Sequence, residues 1–116
     1  MNKKILGPNA PTTTNELGGK QSDTIYRMDL IDPHAVLAIS GVLHDGFKKY
    51  GGDENWRRIP ITDHLNHALV HIYAYLGGDR SDAHLSHVCC RAIFALAKEL
   101  RPRYRMPRKV KKKGHK

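Results

Sequence analysis

The chain has 116 residues, of which 40% are apolar and 27% charged, a composition typical of one soluble domain with a modest core. Its net charge of +9 comes from the last 16 residues, which carry nine Lys and Arg and no acid, whereas the first 100 residues hold eleven basic and eleven acidic side chains. No apolar run approaches membrane-spanning length, and an aromatic content of 7% argues against a β-sandwich.

Composition divides the chain into an arm, a helical body and a tail. Residues 1–24 are rich in Gly, Pro, Thr, Asn and Ser, which predicts a flexible or coil-like arm. Residues 25–101 show helical patterns, and residues 102–116 form a basic tail. The N-terminus lacks the apolar run of a signal peptide, and the only cysteines are neighbours that cannot form an ordinary disulfide. We therefore expect a cytoplasmic protein with reduced thiols.

The first predicted helix follows Asp32, a helix-capping residue, and runs from about Pro33 to Lys49. Two glycines, Gly51 and Gly52, should end it. Two further helices are predicted, the second ending at Leu76 before Gly77-Gly78 and the third before Pro102, with caps expected at Thr62 or Asp63 and at Ser81 or Asp82.

Both later helices carry an apolar arc at helical spacing, which we expect to face the core. No segment shows the alternation of a strand. The sequence therefore predicts an all-α fold, a small bundle of three main helices, which should dimerise because so short a chain has little core. The arcs consist of Leu65, Ala68, Leu69, Ile72 and Leu76 on the second helix, and of Leu85, Val88, Cys89, Ala92, Leu96 and Leu100 on the third.

Five of the eight histidines fall within 24 residues, on the last two predicted helices. His67 and His71 have i,i+4 spacing, and His84 and His87 have i,i+3 spacing, so each pair shares one side of its helix. The short loop between the helices makes them antiparallel neighbours, and the two pairs can meet. His64 is the weakest member of the group because it lies in a first turn.

These four histidines predict a site for a divalent metal ion, since imidazoles gathered in this way often bind metals. Nitrogen ligands suit Zn, Mn, Fe or Ni better than Mg, which prefers oxygen. Asp79 and Asp82 lie in the loop near His84 and are candidate catalytic residues, with Asp82 the first choice for deprotonating water. The alternative is that the histidines merely border an apolar stripe.

A connector between the first two helices, residues 51–60, suggests a phosphate-binding segment. Its arginines and a preceding lysine could hold phosphates while an aromatic ring stacks on a base. The alternative is a solvated basic surface with Trp56 in the core. The candidate substrate-binding residues are Lys49, Asn55, Trp56, Arg57 and Arg58.

Residues 26–97 resemble a phage-associated helical family, the N-terminal domain of dATP/dGTP diphosphohydrolases, a relative of the MazG-like nucleotide pyrophosphohydrolases. The strings that carry the resemblance are YRMDLIDPHAV, FKKYGGDENWRR and HALVHIYAYLGGDRSDAHLSHVCCRAIFAL. The most specific parts are the KYG and NWR runs and the later histidine run. The resemblance implies a helical, dimeric enzyme that cleaves a nucleoside triphosphate into monophosphate and pyrophosphate.

The chain departs from the MazG-like pattern in its metal ligands. MazG-like enzymes bind Mg with carboxylates in ExxE and ExxD motifs, whereas the second helix here has no Glu and the third has only Glu99. Histidines occupy the corresponding strips, so the usual Mg site does not carry over. In some relatives this domain precedes a separate MazG-like part, so the chain could be an accessory module.

The sequence therefore favours metal-dependent hydrolysis of a purine deoxynucleoside triphosphate, in the host bacterial cell if the protein is phage-encoded. The alternative is a non-catalytic accessory protein that binds a nucleotide, or binds nucleic acid through residues 102–116 by neutralising its phosphates. No membrane contact is expected.

Overall fold

The computed structural model describes residues 8–23, 26–52 and 54–103, and most of the basic tail, from residue 104 onward, lies outside this part of the chain. The chain groups into two compact units, Met1–Pro33 and His34–Lys116. The prediction of a mainly all-α domain with three main helices is confirmed. In chain order the elements are β1 (Thr12–Thr14), β2 (Lys20–Ser22), a 3-10 turn (Met28–Leu30), α1 (Pro33–Tyr50), a second 3-10 turn (Asn55–Arg58, the NWRR turn), α2 (Ile61–Leu76) and α3 (His84–Leu100).

The first unit contains a small antiparallel hairpin that the sequence pattern did not predict. β1 is a run of three threonines, whose branched side chains favour extended backbone. The Asn15 side-chain oxygen accepts hydrogen bonds from the backbone N–H groups of Leu17 and Gly19, at 3.0 and 2.8 Å, and Gly18 adopts a left-handed φ of +85°. Every strand residue is exposed, so no apolar alternation marks these strands in the sequence.

The predicted helix ends agree with the structure, but the predicted caps of α2 and α3 are wrong. α2 begins directly after Pro60 and α3 directly after Ala83, and neither of these residues makes a side-chain capping bond. Pro60 uses its carbonyl oxygen, which accepts from the N–H groups of Asp63 and His64, so Thr62 and Asp63 lie inside the first turn. Before α3, the Ser81 hydroxyl donates to Asp79 and the Asp82 carboxylate accepts from the N–H of Ala83.

The most buried side chains of α2 and α3 include two histidines, and most residues of the predicted apolar arcs are exposed, although Ile72 and Val88 are half-buried. His64 and His84 are 0% and 7% exposed. Of the predicted arc on α2, Ala68 is buried, whereas Leu65, Leu69 and Leu76 are at least 47% exposed. On α3, Cys90 and Ala95 are buried, and the predicted arc residues Leu85, Cys89, Ala92, Leu96 and Leu100 are exposed.

His64 joins α2, α3 and the NWRR turn. Its Nε2 lies 2.9 Å from the carbonyl oxygen of Trp56, and its Nδ1 lies 3.1 Å from an Arg91 guanidinium nitrogen. A carbonyl only accepts and a guanidinium only donates, so the ring must carry its proton on Nε2 and keep Nδ1 free. His64 is therefore neutral, with both nitrogens satisfied, in a position from which water is excluded.

Further contacts hold the NWRR turn against α3. The Trp56 ring stacks on Phe94, with ring centroids 4.7 Å apart and planes 10° apart. The Lys98 ammonium donates to the carbonyl oxygen of Ile59, directly after the turn. These contacts fix the connector between α1 and α2, whose regular structure is the short NWRR turn.

α1 packs more loosely than the other two helices, because none of its side chains is fully buried. The buried thiol of Cys90 on α3 donates to the carbonyl oxygen of Ile39 on α1, with sulfur and oxygen 3.6 Å apart. Burial raises the pKa of Cys90, so this thiol stays protonated. Both cysteines are free, and no helix in the described part of the chain is long and apolar enough to cross a membrane.

Replacing His64 should destabilise the protein strongly. In His64→Leu the Trp56 carbonyl and the Arg91 guanidinium lose a buried partner, and we expect the free energy of unfolding to fall by about 3 kcal/mol. Urea denaturation measures the change. His34→Leu, at an exposed position of α1, is the matched control and should change stability by about 0.5 kcal/mol or less.

The stability should also fall at acid pH because of His64. Burial lowers the pKa of His64 below 6.5, its ordinary value, so the unfolded chain takes up the proton first as the pH falls. The contribution is complete above pH 6.5 and is lost below it, by up to about 1.4 kcal/mol per pH unit. Urea midpoints between pH 7.5 and 5.5 should change more in the wild type than in His64→Leu. Equal slopes would contradict this assignment.

Candidate functional site

His71, Asp82 and His84 come together where α2 ends and α3 begins. Each offers one donor atom, and the three atoms all lie within 4.8 Å of one another. His84 is buried, His71 is half-buried and Asp82 is exposed, so the group opens to solvent on one side. Two imidazole nitrogens and one carboxylate oxygen form a donor set that suits Zn, Mn or Fe.

Asp79 fixes the orientation of His84. Its carboxylate Oδ2 lies 2.5 Å from His84 Nε2 and also accepts from the Ser81 hydroxyl, 2.7 Å away. The bond from Ser81, followed by that from His84, lowers the pKa of Asp79, so the carboxylate is ionised and can only accept. His84 therefore carries a proton on Nε2 and turns Nδ1 toward the donor group. A carboxylate behind an imidazole in this way is typical of metal-binding histidines.

The two Nδ1 atoms of His71 and His84 are 2.9 Å apart, a hydrogen-bond distance. With the proton of a neutral His84 on Nε2, its Nδ1 accepts and His71 donates. Burial, followed by the nearby His87 and His84, lowers the pKa of His71, which favours its neutral form. Both rings are thus suited to exchange the shared proton for a cation.

The other two predicted metal ligands lie beside the donor group. The His87 ring stacks on His71, with centroids 4.7 Å apart, and its Nε2 is 3.3 Å from an Asp82 oxygen. His67 is exposed, and its charge contributes to lowering the pKa of His71. The structure thus separates the four predicted ligands into two with donor atoms in the group, His71 and His84, and two alongside it. His64, the weakest candidate among the five clustered histidines, is the one that is fully buried.

Asp82 is better suited to bind a metal ion than to accept a proton from water. The N–H of Ala83 donates to its carboxylate at 2.7 Å, and this bond, with the neighbouring His87 and His71, lowers the pKa of Asp82. An ionised carboxylate with a lowered pKa binds cations well and takes up protons poorly.

A cleft of about 1230 Å³ lies between α1 and the α2–α3 pair and reaches this group at Asp82. Asp82, His87 and His67 line it on one side, and α1 lines it on the other. Four of the five predicted substrate-binding residues, Lys49, Asn55, Trp56 and Arg57, also line the cleft, whereas the fifth, Arg58, is exposed outside it.

The faces of Trp56 are already occupied. Phe94 stacks on the indole at 4.7 Å, and the Arg57 guanidinium lies over the ring, 4.2 Å from its centroid. Arg57 also forms an ion pair with Glu54. The structure therefore makes Trp56 a packing residue that also lines the cleft, with Phe94 and the Arg57 guanidinium already against its ring.

A protein-family model described as dATP/dGTP diphosphohydrolase, N-terminal, matches residues 15–108. The matched range contains all three helices, the donor group and the cleft. No curated protein and no solved structure matches the chain.

Proposed function

Because the chain belongs to the dATP/dGTP diphosphohydrolase, N-terminal family, we propose that it hydrolyses a purine deoxynucleoside triphosphate to the monophosphate and pyrophosphate. The observation that carries this proposal is the cluster of three donor atoms within 4.8 Å, one of them at the edge of a cleft whose lining includes Lys49, Arg57 and Arg91. The family implies a nucleotide substrate, and the cleft supplies both a place for a metal ion and cations for phosphate.

The donor group fits the divalent ion that such a hydrolase needs. His71, His84 and Asp82 would hold the ion, and Asp79 would keep His84 turned toward it. A bound divalent ion would supply positive charge for phosphate oxygens and make a water molecule more acidic. The nitrogen-rich donors favour Zn, Mn or Fe over Mg.

The remaining predicted residues have distinct roles in this proposal. Lys49 and Asn55 line the cleft and would bind the polar parts of the nucleotide. Arg57 would reach a phosphate only by releasing Glu54, with which it pairs. Asp82 and Asp79 are poorly suited to deprotonate water, because the pKa of each is lowered.

Removing the donor atoms should abolish metal binding. We expect His71→Ala, His84→Ala and Asp82→Ala each to lose stoichiometric binding of Mn²⁺ or Zn²⁺ in isothermal titration calorimetry. Asp79→Asn, which only disturbs the orientation of His84, should weaken binding about 10- to 100-fold. His34→Ala is the control for loss of one exposed imidazole and should bind as the wild type does. Undiminished binding by a His71→Ala/His84→Ala variant would contradict this assignment.

Turnover should follow the same residues. With the preferred metal, the wild type should convert dATP or dGTP to monophosphate and pyrophosphate, and His84→Ala should lose this activity. Deleting residues 102–116 tests the alternative of a nucleic-acid-binding accessory protein. A hydrolase should keep its turnover after this deletion, whereas a tail-driven binder should lose salt-sensitive binding to DNA or RNA. A wild type that binds DNA but hydrolyses no nucleotide would favour the accessory role.

We also propose that a second copy of the chain covers an exposed apolar face of the α2–α3 pair. Helical spacing places the leucines of this face, three on each helix, within a sector of about 60°. Six leucines at 47–72% exposure are more apolar surface than an isolated small domain normally presents to water. This outer apolar face consists of Leu65, Leu69 and Leu76 on α2, and Leu85, Leu96 and Leu100 on α3.

Charges placed in the outer apolar face should break the dimer. We expect light scattering after gel filtration to give a dimer for the wild type at tens of micromolar, and a monomer for Leu69→Glu/Leu96→Glu, because buried unpaired carboxylates are costly. Val70→Glu changes an equally exposed apolar residue on another side of α2 and should remain a dimer. A monomeric wild type would contradict the proposal.

A further inference from the structure

We propose that Arg91 is the main phosphate-binding residue of the cleft, and that buried His64 positions it. The inference rests on the proposed function, because the ligand it names is the polyphosphate chain of a nucleotide. Arg91 is absent from the candidates that sequence reasoning gave, since a single arginine within a helix has no motif around it.

Arg91 lies on the same helix as His84, one member of the donor group, and lines the cleft that reaches Asp82. It is half-buried and lines the cleft together with Asp82 and His87. Arg91 follows His87 by four residues, so the two side chains share one side of α3 and are about 6 Å apart along its axis. Arg91 also follows His84 by seven residues, about 10 Å or two turns along α3, so a polyphosphate held at the His71–Asp82–His84 group and extending along the cleft past His87 would meet Arg91.

His64 holds the guanidinium without neutralising it. One Arg91 nitrogen donates to His64 Nδ1 at 3.1 Å, and His64 is fully buried. Burial lowers the pKa of His64, and the charge on Arg91 lowers it further, so the imidazole stays uncharged. Within residues 8–23, 26–52 and 54–103, no carboxylate forms an ion pair with Arg91. Its charge and its other N–H groups are left to bind an anion.

The other cations of the cleft are less suited to this role. Arg57 is paired with Glu54 and lies over the Trp56 ring. Lys49 is exposed, with its ammonium 5.4 Å from the Tyr50 ring centroid, so solvent screens its charge. Arg91 combines partial burial, a fixed position and an uncompensated charge, and these properties strengthen hydrogen bonds to phosphate.

The test is the binding of inorganic tripolyphosphate in the presence of EDTA, which isolates the phosphate contacts from metal and turnover. Isothermal titration calorimetry should give a dissociation constant about tenfold or more higher for Arg91→Met than for the wild type. Lys20→Met removes one positive charge from an exposed residue of the hairpin and should change binding by about twofold or less. Arg91→Lys keeps the charge without the planar fork and should lie between wild type and Arg91→Met.

Equal effects of Arg91→Met and Lys20→Met, or failure of the wild type to bind tripolyphosphate, would overturn the proposal. If Arg91→Met does not fold, Arg91→Lys decides: unchanged affinity overturns the proposal and weaker binding supports it. The outcome is separable from the proposed function. A wild type that binds tripolyphosphate through Arg91 but hydrolyses no nucleotide supports the phosphate site alone. Hydrolysis with an unchanged KM in Arg91→Met supports the enzyme and overturns the phosphate site.

Discussion

The arrangement of the second unit depends on one buried imidazole. His64 accepts from Arg91 on α3 and donates to the carbonyl oxygen of Trp56, so a single ring links two helices and the turn that precedes them. Because both partners are polar and the position excludes water, neither can be left without a hydrogen bond at low cost. The same ring fixes one wall of the cleft and the direction of a guanidinium within it.

The histidine-rich side of the helix pair is also its packed side. The same residue type therefore stabilises the fold at one position and offers a metal-binding nitrogen at another. His64 is satisfied by two protein groups, whereas His71 and His84 are satisfied by each other and by Asp79. The first arrangement is closed and structural. The second contains a proton between His71 and His84 that a metal ion could replace, so it is the arrangement suited to metal binding.

The sequence predicted the three helices, the approach of His71 to His84 and His87, and the loop carboxylates beside them, because spacing and glycine signals are local. Prediction from the sequence failed where the result depends on how the helices pack against each other. Helical spacing cannot tell which of two adjacent sides faces a neighbour, so the leucine arcs were assigned to the core although they remain exposed. Likewise, Pro60 and Ala83 precede α2 and α3 without side-chain caps, since the nearby polar residues bond elsewhere. The role of Arg91 depends on a partner 27 residues away.

The loose attachment of α1 has a consequence for how a nucleotide could enter. α1 forms one wall of the cleft, yet it buries no side chain completely, and a thiol-to-carbonyl bond ties it to α3. Elements with few buried groups open at a small fraction of the global unfolding free energy. In the proposed function, α1 would therefore be a compliant wall beside the base, whereas the ion-binding end is held by the hydrogen bonds of His71, His84 and Asp79. Discrimination between bases would then depend on how tightly α1 closes, rather than on the ion-binding end of the cleft.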